Sequence, residues 1–153
     1  MNKPDYKIIA DFSDTVREST LKRLKTVPEG KENFRLHEKS MSISDIAKHL
    51  IDCDKSLIKA QSTKYKGKCL GKANSMVIRD RKEYEKLITE LTILKSKRRE
   101  FILALNNHTW LQNIQVDSIS GKRFEHLGLL IHKMLDHEAH HRGQISVLLK
   151  FVM

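Results

Sequence analysis

The chain has 153 residues, of which 39% are apolar and 31% are charged, and its net charge at pH 7 is +10. This length fits one domain, residues 1–153, that buries roughly two-thirds of its unfolded surface. No apolar run reaches 18 residues, which excludes a transmembrane helix, and the charged start MNKPDYKIIADF lacks the apolar core of a signal peptide. We therefore expect a cytoplasmic protein whose two cysteines, Cys53 and Cys69, stay reduced.

Helical periodicity predicts two helices in the first 62 residues. The first spans about residues 5–25, and the loop VPEGKEN ends it because it contains both Pro and Gly. The inward stripe of this helix is predicted to comprise Ile8, Phe12, Val16 and Leu24. The second helix begins at Ser42, which has capping-box spacing to Asp45, and reaches about residue 62.

Two longer helices are predicted in the second half of the chain. The third spans about residues 75–105 and is broken by NNHTW. The segment LQNIQVDSISGKRF is interpreted as a loop, since strand alternation is not convincing there. The fourth helix covers about residues 123–152. Four amphipathic helices predict an all-α fold, an antiparallel four-helix bundle around one core.

The positive charge is concentrated in three runs: KYKGKCLGK (64–72), RDRK (79–82) and KSKRR (95–99). A basic chain can bind nucleic acid, but binding modules for single strands interleave aromatic residues with the basic ones. These runs contain no aromatic residue other than Tyr65 and no recognisable module. We interpret them as a connecting loop over residues 64–74 and a solvated helix face, and we expect no specific nucleic-acid partner.

The fourth helix carries a dense group of histidines in LDHEAHHRGQ, residues 135–144. At 100° per residue, His141 lies about 30° from the centre of the apolar stripe and His137 about 70° from it. His132 and His140 face away, so we expect both in solvent. The pair at i and i+4 has the spacing that two ring nitrogens need to reach one ion. The spacing alone is compatible with two interpretations of this pair: histidines that are part of the core, or ligands of a metal ion.

Two further polar residues lie near apolar stripes. Glu138 is about 30° from the centre of the stripe on the fourth helix, so its carboxylate needs a basic partner. His49 on the second helix lies on the flank, about 105° from the centre of its stripe. That position suits a boundary histidine, although the ring can also point at a neighbouring helix.

These residues resemble a known family. HKMLDHEAHHRGQISVLL is similar to the terminal signature of the DinB-like superfamily of small bacterial bundle metalloproteins, His-x-x-x-His-Arg-x-Gln, matched by His137, His141, Arg142 and Gln144. The family's third ligand follows a capped helix start, in a context like SISDIAKHLIDCD, which places it at His49. The basic loop 64–74 departs from the family pattern.

The resemblance implies a divalent transition ion, zinc or nickel, held by His49, His137 and His141. Three protein ligands leave coordination positions open, as in catalytic sites. No catalytic residue is assigned; Glu138 either orients a ligand histidine or forms a core salt bridge with Arg142 or another base.

Related proteins use the ion to activate a thiol such as bacillithiol, mycothiol or glutathione, in transfer to an electrophile during stress or detoxification. The alternative is a non-catalytic, stress-induced metal-binding protein that acts through protein partners. The resemblance also implies a homodimer.

Overall fold

The protein is described by a computed structural model that covers residues 5–60, 71–118 and 121–153. Helices α1 (Tyr6–Lys25) and α2 (Ile43–Lys59) are followed by α3 (Arg81–Leu103) and the single turn α4 (Asn107–Trp110). Strands β1 (Asn113–Ser118) and β2 (Gly121–His126) then precede the last helix, α5 (Leu127–Val152). The fold is mostly helical, as predicted, but the described ranges contain five helices and a two-stranded sheet where four helices alone were expected.

The starts of the first two helices agree with the sequence prediction to within a residue. Asp5 caps α1 by accepting a hydrogen bond from the backbone N–H of Lys7. At α2, the Ser42 hydroxyl accepts from the N–H of Asp45, and the Asp45 carboxylate accepts from the N–H of Ser42. This reciprocal capping box satisfies two backbone donors that the first helical turn leaves free.

The prediction that the third helix begins near residue 75 was wrong. Its N-cap is Asp80, whose carboxylate accepts from the N–H of Glu83. The residues before it are held by Asp45 instead, which accepts from the backbone N–H groups of Asn74 and Met76 at 3.0 and 2.9 Å. These bonds hold residues 74–76 against the start of α2, and helical periodicity does not report such a tether.

The interpretation of residues 111–124 as a loop was also wrong, and so was the start of the last helix at residue 123. Strands β1 and β2 pair antiparallel, with Ile114 opposite Glu125 and Val116 opposite Arg123. Ile114 and Val116 are buried on one face. Only two apolar residues alternate in β1, and this signal is too short to separate a strand from a loop.

The four long helices form the bundle: α1 contacts α3 and α5, and α2 contacts the same two helices. Their buried apolar residues form two clusters. One includes Leu24, Ile46, Leu91 and Ile145. The other includes Leu57, Ile102, Leu127 and Ile131. Each long helix contributes to both clusters, α1 to the second through Tyr6 and Ala10, and each long helix also carries buried polar side chains.

The inward stripe predicted for the first helix is half correct. Val16 and Leu24 are buried, whereas Ile8 and Phe12 are exposed. The side of α1 that faces the bundle instead presents smaller and polar residues, Ala10, Ser13, Arg17 and Thr20. Arg17 is buried on the inward face of α1, so this face differs from the one that hydropathy alone predicts.

No helix in the described ranges has both the length and the apolar content required to cross a membrane.

Candidate metal centre

The structure places the histidines of α5 as their helical positions predict. His141 is buried, His137 is half-buried, and His132 and His140 are exposed. On α2, His49 is 5% exposed, so this flank residue points into the bundle toward α5. The antiparallel contact between α2 and α5 therefore brings together three rings that lie 88 and 92 residues apart in the chain.

The three rings meet through their Nε2 atoms. Nε2 of His137 lies 3.0 Å from Nε2 of His49 and 3.0 Å from Nε2 of His141. The ring centroids of His49 and His141 are 4.8 Å apart, and the planes are nearly perpendicular. A tetrahedral zinc ion with bonds of about 2.1 Å would separate its nitrogen ligands by about 3.4 Å. The three rings are thus spaced for one small ion.

A neighbouring amide sets the tautomer of His141. Its Nδ1 lies 2.7 Å from Oε1 of Gln144. An amide oxygen only accepts, so Nδ1 of His141 carries the proton and Nε2 keeps its lone pair for the cluster. Within the described ranges, the buried Nδ1 of His137 has no hydrogen-bond partner. Gln144, which the sequence identifies only as part of the terminal signature, thus orients one of the three rings.

The environment keeps these rings neutral. Burial, followed by the repulsion of His141 and His137, lowers the pKa of His49 to about 4. Burial also lowers the pKa of His141 to about 4, although its hydrogen bond to Gln144 acts in the opposite direction. The pKa of His137 is lowered as well, chiefly by burial. Neutral imidazole is the form that binds a metal ion, and at pH 7 all three rings are in this form.

Cys53 lies beside the cluster, one helical turn after His49. Its Sγ and the ring nitrogens of His49 and His137 all lie within 4.8 Å of one another, so this set is a candidate metal group. However, Sγ is 3.8 Å from both Nδ1 and Nε2 of His49, which places it on the plane that bisects the ring. An ion on the Nε2 lone pair would lie roughly 4 Å from Sγ, against a zinc–sulfur bond of about 2.3 Å. The geometry favours His141 over Cys53 as the third donor.

Glu138 is fully buried and has basic partners, as predicted, but they are Arg17 and Arg98 rather than Arg142. Arg17 donates to it through Nε at 2.7 Å, and Arg98 donates through NH1 at 2.7 Å. Both arginines also donate to the buried carboxylate of Asp54. Burial alone would raise the pKa of Glu138, but the two guanidinium groups outweigh it and hold the pKa at about 2.

This group of four, Arg17, Asp54, Arg98 and Glu138, is here called the buried charge quartet. It joins all four long helices, and Glu138 directly follows His137 in the chain. Sequence reasoning missed three of its members. A signal for one exists: Arg98 continues the apolar stripe of α3 one turn after Leu94, where a charged residue is out of place.

Part of the sequence prediction lies outside the described residues. This applies to Cys69 and to most of the basic loop, whose residues 71–74 alone are described.

Comparison with known proteins agrees with this fold. The model of the DinB family matches residues 1–151. A DinB-like protein of Bacillus subtilis has a similar structure, with a TM-score of 0.68 and 15% identity over 93% of this chain and 90% of that chain. A DinB-like protein of Bacillus cereus ATCC 10987 has a TM-score of 0.66 and 15% identity over 88% and 84%. No curated protein sequence matches this chain significantly.

Proposed function

This chain belongs to the DinB family, and from that premise we propose that it binds one divalent transition ion through His49, His137 and His141 and uses it for thiol transfer. The observation that carries the proposal is the convergence of three Nε2 atoms, two pairs of which are 3.0 Å apart. Neutral imidazoles suit a borderline ion, so zinc or nickel is the proposed metal.

The surrounding residues support a site with open coordination positions. Within the described ranges, three imidazoles meet at a common centre, and Sγ of Cys53 lies off the lone-pair direction of His49. Three protein ligands leave room for an outside molecule, which distinguishes catalytic zinc sites from structural ones. When bound, the ion lowers the pKa of a thiol that occupies such a position and supplies a thiolate at neutral pH.

The chain contributes binding and orientation, and the proposed nucleophile is the outside thiol. Glu138 and Asp54 are buried carboxylates near the ligand histidines in sequence, and both accept hydrogen bonds from arginines. With a pKa of about 2, Glu138 stays ionised and is a poor base. Gln144 fixes the orientation of His141. Bacillithiol, mycothiol and glutathione are the proposed thiols, and the acceptor is an electrophile that carries a leaving group. The thiol proton passes to solvent, the sulfur forms a bond to the electrophilic carbon, and the bond from that carbon to its leaving group breaks with its electron pair.

Cobalt(II) substitution tests the open position directly, because a thiolate bound to cobalt gives a charge-transfer absorption in the near ultraviolet. We expect cobalt-loaded protein to lack this band until a low-molecular-weight thiol is added. Cys53→Ala should behave in the same way. A band that is present without added thiol and is lost in Cys53→Ala would show a closed site, and a metal-binding protein that acts through partners would then be the better account.

Alanine variants test the ligand set. His49→Ala, His137→Ala and His141→Ala should each weaken metal binding sharply, measured by elemental analysis and by titration with zinc. His132→Ala and His140→Ala are matched controls, since both residues are exposed on the same helix as two of the ligands. Equal losses from the controls would overturn the assignment.

The reaction itself is tested with metal-loaded protein, each of the three thiols and a model electrophile. Metal-loaded wild type should transfer the thiol faster than His141→Ala. If no thiol reacts faster with the wild type, the enzyme proposal fails and metal binding alone remains.

Partners are also proposed. The family resemblance supports a homodimer, which sedimentation equilibrium would detect. The +10 charge supports only weak nucleic-acid binding that disappears as salt is raised to physiological concentration.

A further inference from the structure

A cavity of about 230 Å³ lies between the start of α2 and the last turns of α5. Its wall is mostly apolar and consists of Leu36, Met41, Ile46, Val147 and Leu148, with Ser40 and Gln144 as the polar members. None of the described residues that line it carries a charge. The cavity lies outside the group of histidines, and the metal site as described makes no use of it.

The cavity shares its wall with the metal site. Gln144, which lines it, contacts Nδ1 of His141 at 2.7 Å. Ile46 lies on α2 one turn before His49. Met41 and His49 both border Gly71: a Cβ atom at Gly71 would lie 2.3 Å from Sδ of Met41 and 3.4 Å from Cδ2 of His49. The side chain of Gln144 therefore lines the cavity and also contacts the ring of His141, so the cavity and the metal site share this residue.

The chemistry of the wall selects the occupant. Arg35, which precedes Leu36 on the lining loop, donates to the carbonyl of Ser40 at 3.0 Å and pairs with Asp45 at 3.1 Å, so its charge is already paired. An ionised group placed here would lose hydration without gaining a charged partner among the described residues of the wall. An apolar cavity of roughly 150 Å³ is enough to hold benzene, so this one accommodates a single ring or a short alkyl chain.

We propose that this cavity binds an uncharged apolar group, an aryl ring or short alkyl chain, of the electrophile that receives the thiol at the metal. The assignment to the electrophile rests on the proposed function. Bacillithiol and glutathione carry ionised carboxylates, and mycothiol carries many hydroxyl groups. This mostly apolar wall suits none of the three, so the apolar partner of the reaction is the one that fits. The site thus favours acceptors whose reactive carbon is attached to a small hydrophobic body.

Binding of benzyl alcohol, followed by amide chemical shifts in two-dimensional NMR, tests the cavity without any reaction. When benzyl alcohol is added to the metal-loaded protein, the amide signals of residues at the start of α2 and of residues 144–148 should shift. Benzoate, which has the same ring and a charge, should bind at least about tenfold more weakly, because its carboxylate would be desolvated without a partner.

Val147→Glu is the informative variant, since Val147 lies on the rim and is 46% exposed, so the change does not disturb the core. Leu129→Glu is the matched control, on the same helix and 50% exposed but away from the cavity. Val147→Glu should weaken benzyl alcohol binding by about tenfold or more, and Leu129→Glu should leave it unchanged. Equal binding of benzoate and benzyl alcohol, or equal effects of the two variants, would overturn the proposal.

The same variants separate this site from the reaction. With an aryl electrophile, Val147→Glu should raise the KM for the electrophile and leave the KM for the thiol unchanged. If the wild type binds benzyl alcohol and Val147→Glu does not, but the wild type transfers no thiol, the proposed reaction is wrong and the apolar site remains. If the wild type and Val147→Glu transfer the thiol equally well, but the wild type does not bind benzyl alcohol, the apolar site is wrong and the proposed reaction remains.

Discussion

Oε1 of Gln144 lies 2.7 Å from Nδ1 of His141, and this contact leaves the lone pair of Nε2 of His141 directed at His137. The two residues are three positions apart on α5, so a single helical turn carries both the ring and the group that orients it. Metal-binding histidines are commonly fixed in this way, through a hydrogen bond at the nitrogen that does not bind the ion.

Gln144→Leu should therefore weaken zinc binding by about 10- to 100-fold, the usual effect of losing such a contact. The side chain is exposed, so thermal unfolding of the metal-free variant should match the wild type. Gln144→Glu keeps an acceptor at the same place and should restore most of the affinity in a zinc titration. Wild-type affinity in Gln144→Leu would contradict the orienting role.

Metal binding should release almost no protons at pH 6. The pKa values of His49 and His141 are about 4, so both rings are already neutral there. A histidine with the ordinary pKa of about 6.5 would release roughly three-quarters of a proton at this pH. Calorimetric titration in two buffers with different ionisation enthalpies measures the difference. A release near two protons per ion would show that the rings are not held neutral.

The sequence predicts those features of the fold and the site that depend on residues close together in the chain, and it misses those that depend on contacts between distant segments. Helical periodicity located the four long helices, and the helical angles of His137, His140 and His141 were correct because they depend on one helix alone. The partners of Glu138 depend on packing between helices: Arg17 and Arg98 come from α1 and α3, and no local pattern links them to α5. The Asp45 tether was missed for the same reason, whereas the hairpin was missed because only two apolar residues alternate in β1.

Loss of a carboxylate from the buried charge quartet should be costly. Glu138→Gln leaves Arg17 and Arg98 with one carboxylate between them in a site excluded from water, and an incompletely compensated buried charge typically costs about 3 kcal/mol or more. Urea unfolding followed by circular dichroism measures this. Asp136→Asn, an exposed change on the same helix, should alter the free energy of unfolding by no more than about 0.5 kcal/mol. Comparable effects of the two variants would contradict a stabilising role for the quartet.

Acid unfolding should contain a contribution from Asp45 that Asp45→Asn removes. Burial tends to raise the pKa of Asp45, but hydrogen bonds from Ser42, Met76 and Asn74 outweigh it, so the pKa is lowered from 3.8. The unfolded chain therefore takes up this proton at a higher pH than the folded chain does. The stabilisation is complete above about pH 4 and is lost as the pH falls from there through the lowered pKa.

At neutral pH, Asp45→Asn should lower the free energy of unfolding by about 2 kcal/mol, because an amide cannot accept all the donors that converge on this carboxylate. Between pH 5 and 3, the unfolding free energy of the variant should fall less steeply than that of the wild type. Asp52→Asn is the matched control: Asp52 is an exposed aspartate on α2 that pairs only with Lys48 among the described residues. Wild type and Asp45→Asn with parallel pH profiles would show that the carboxylate does not tether residues 74–76 to α2.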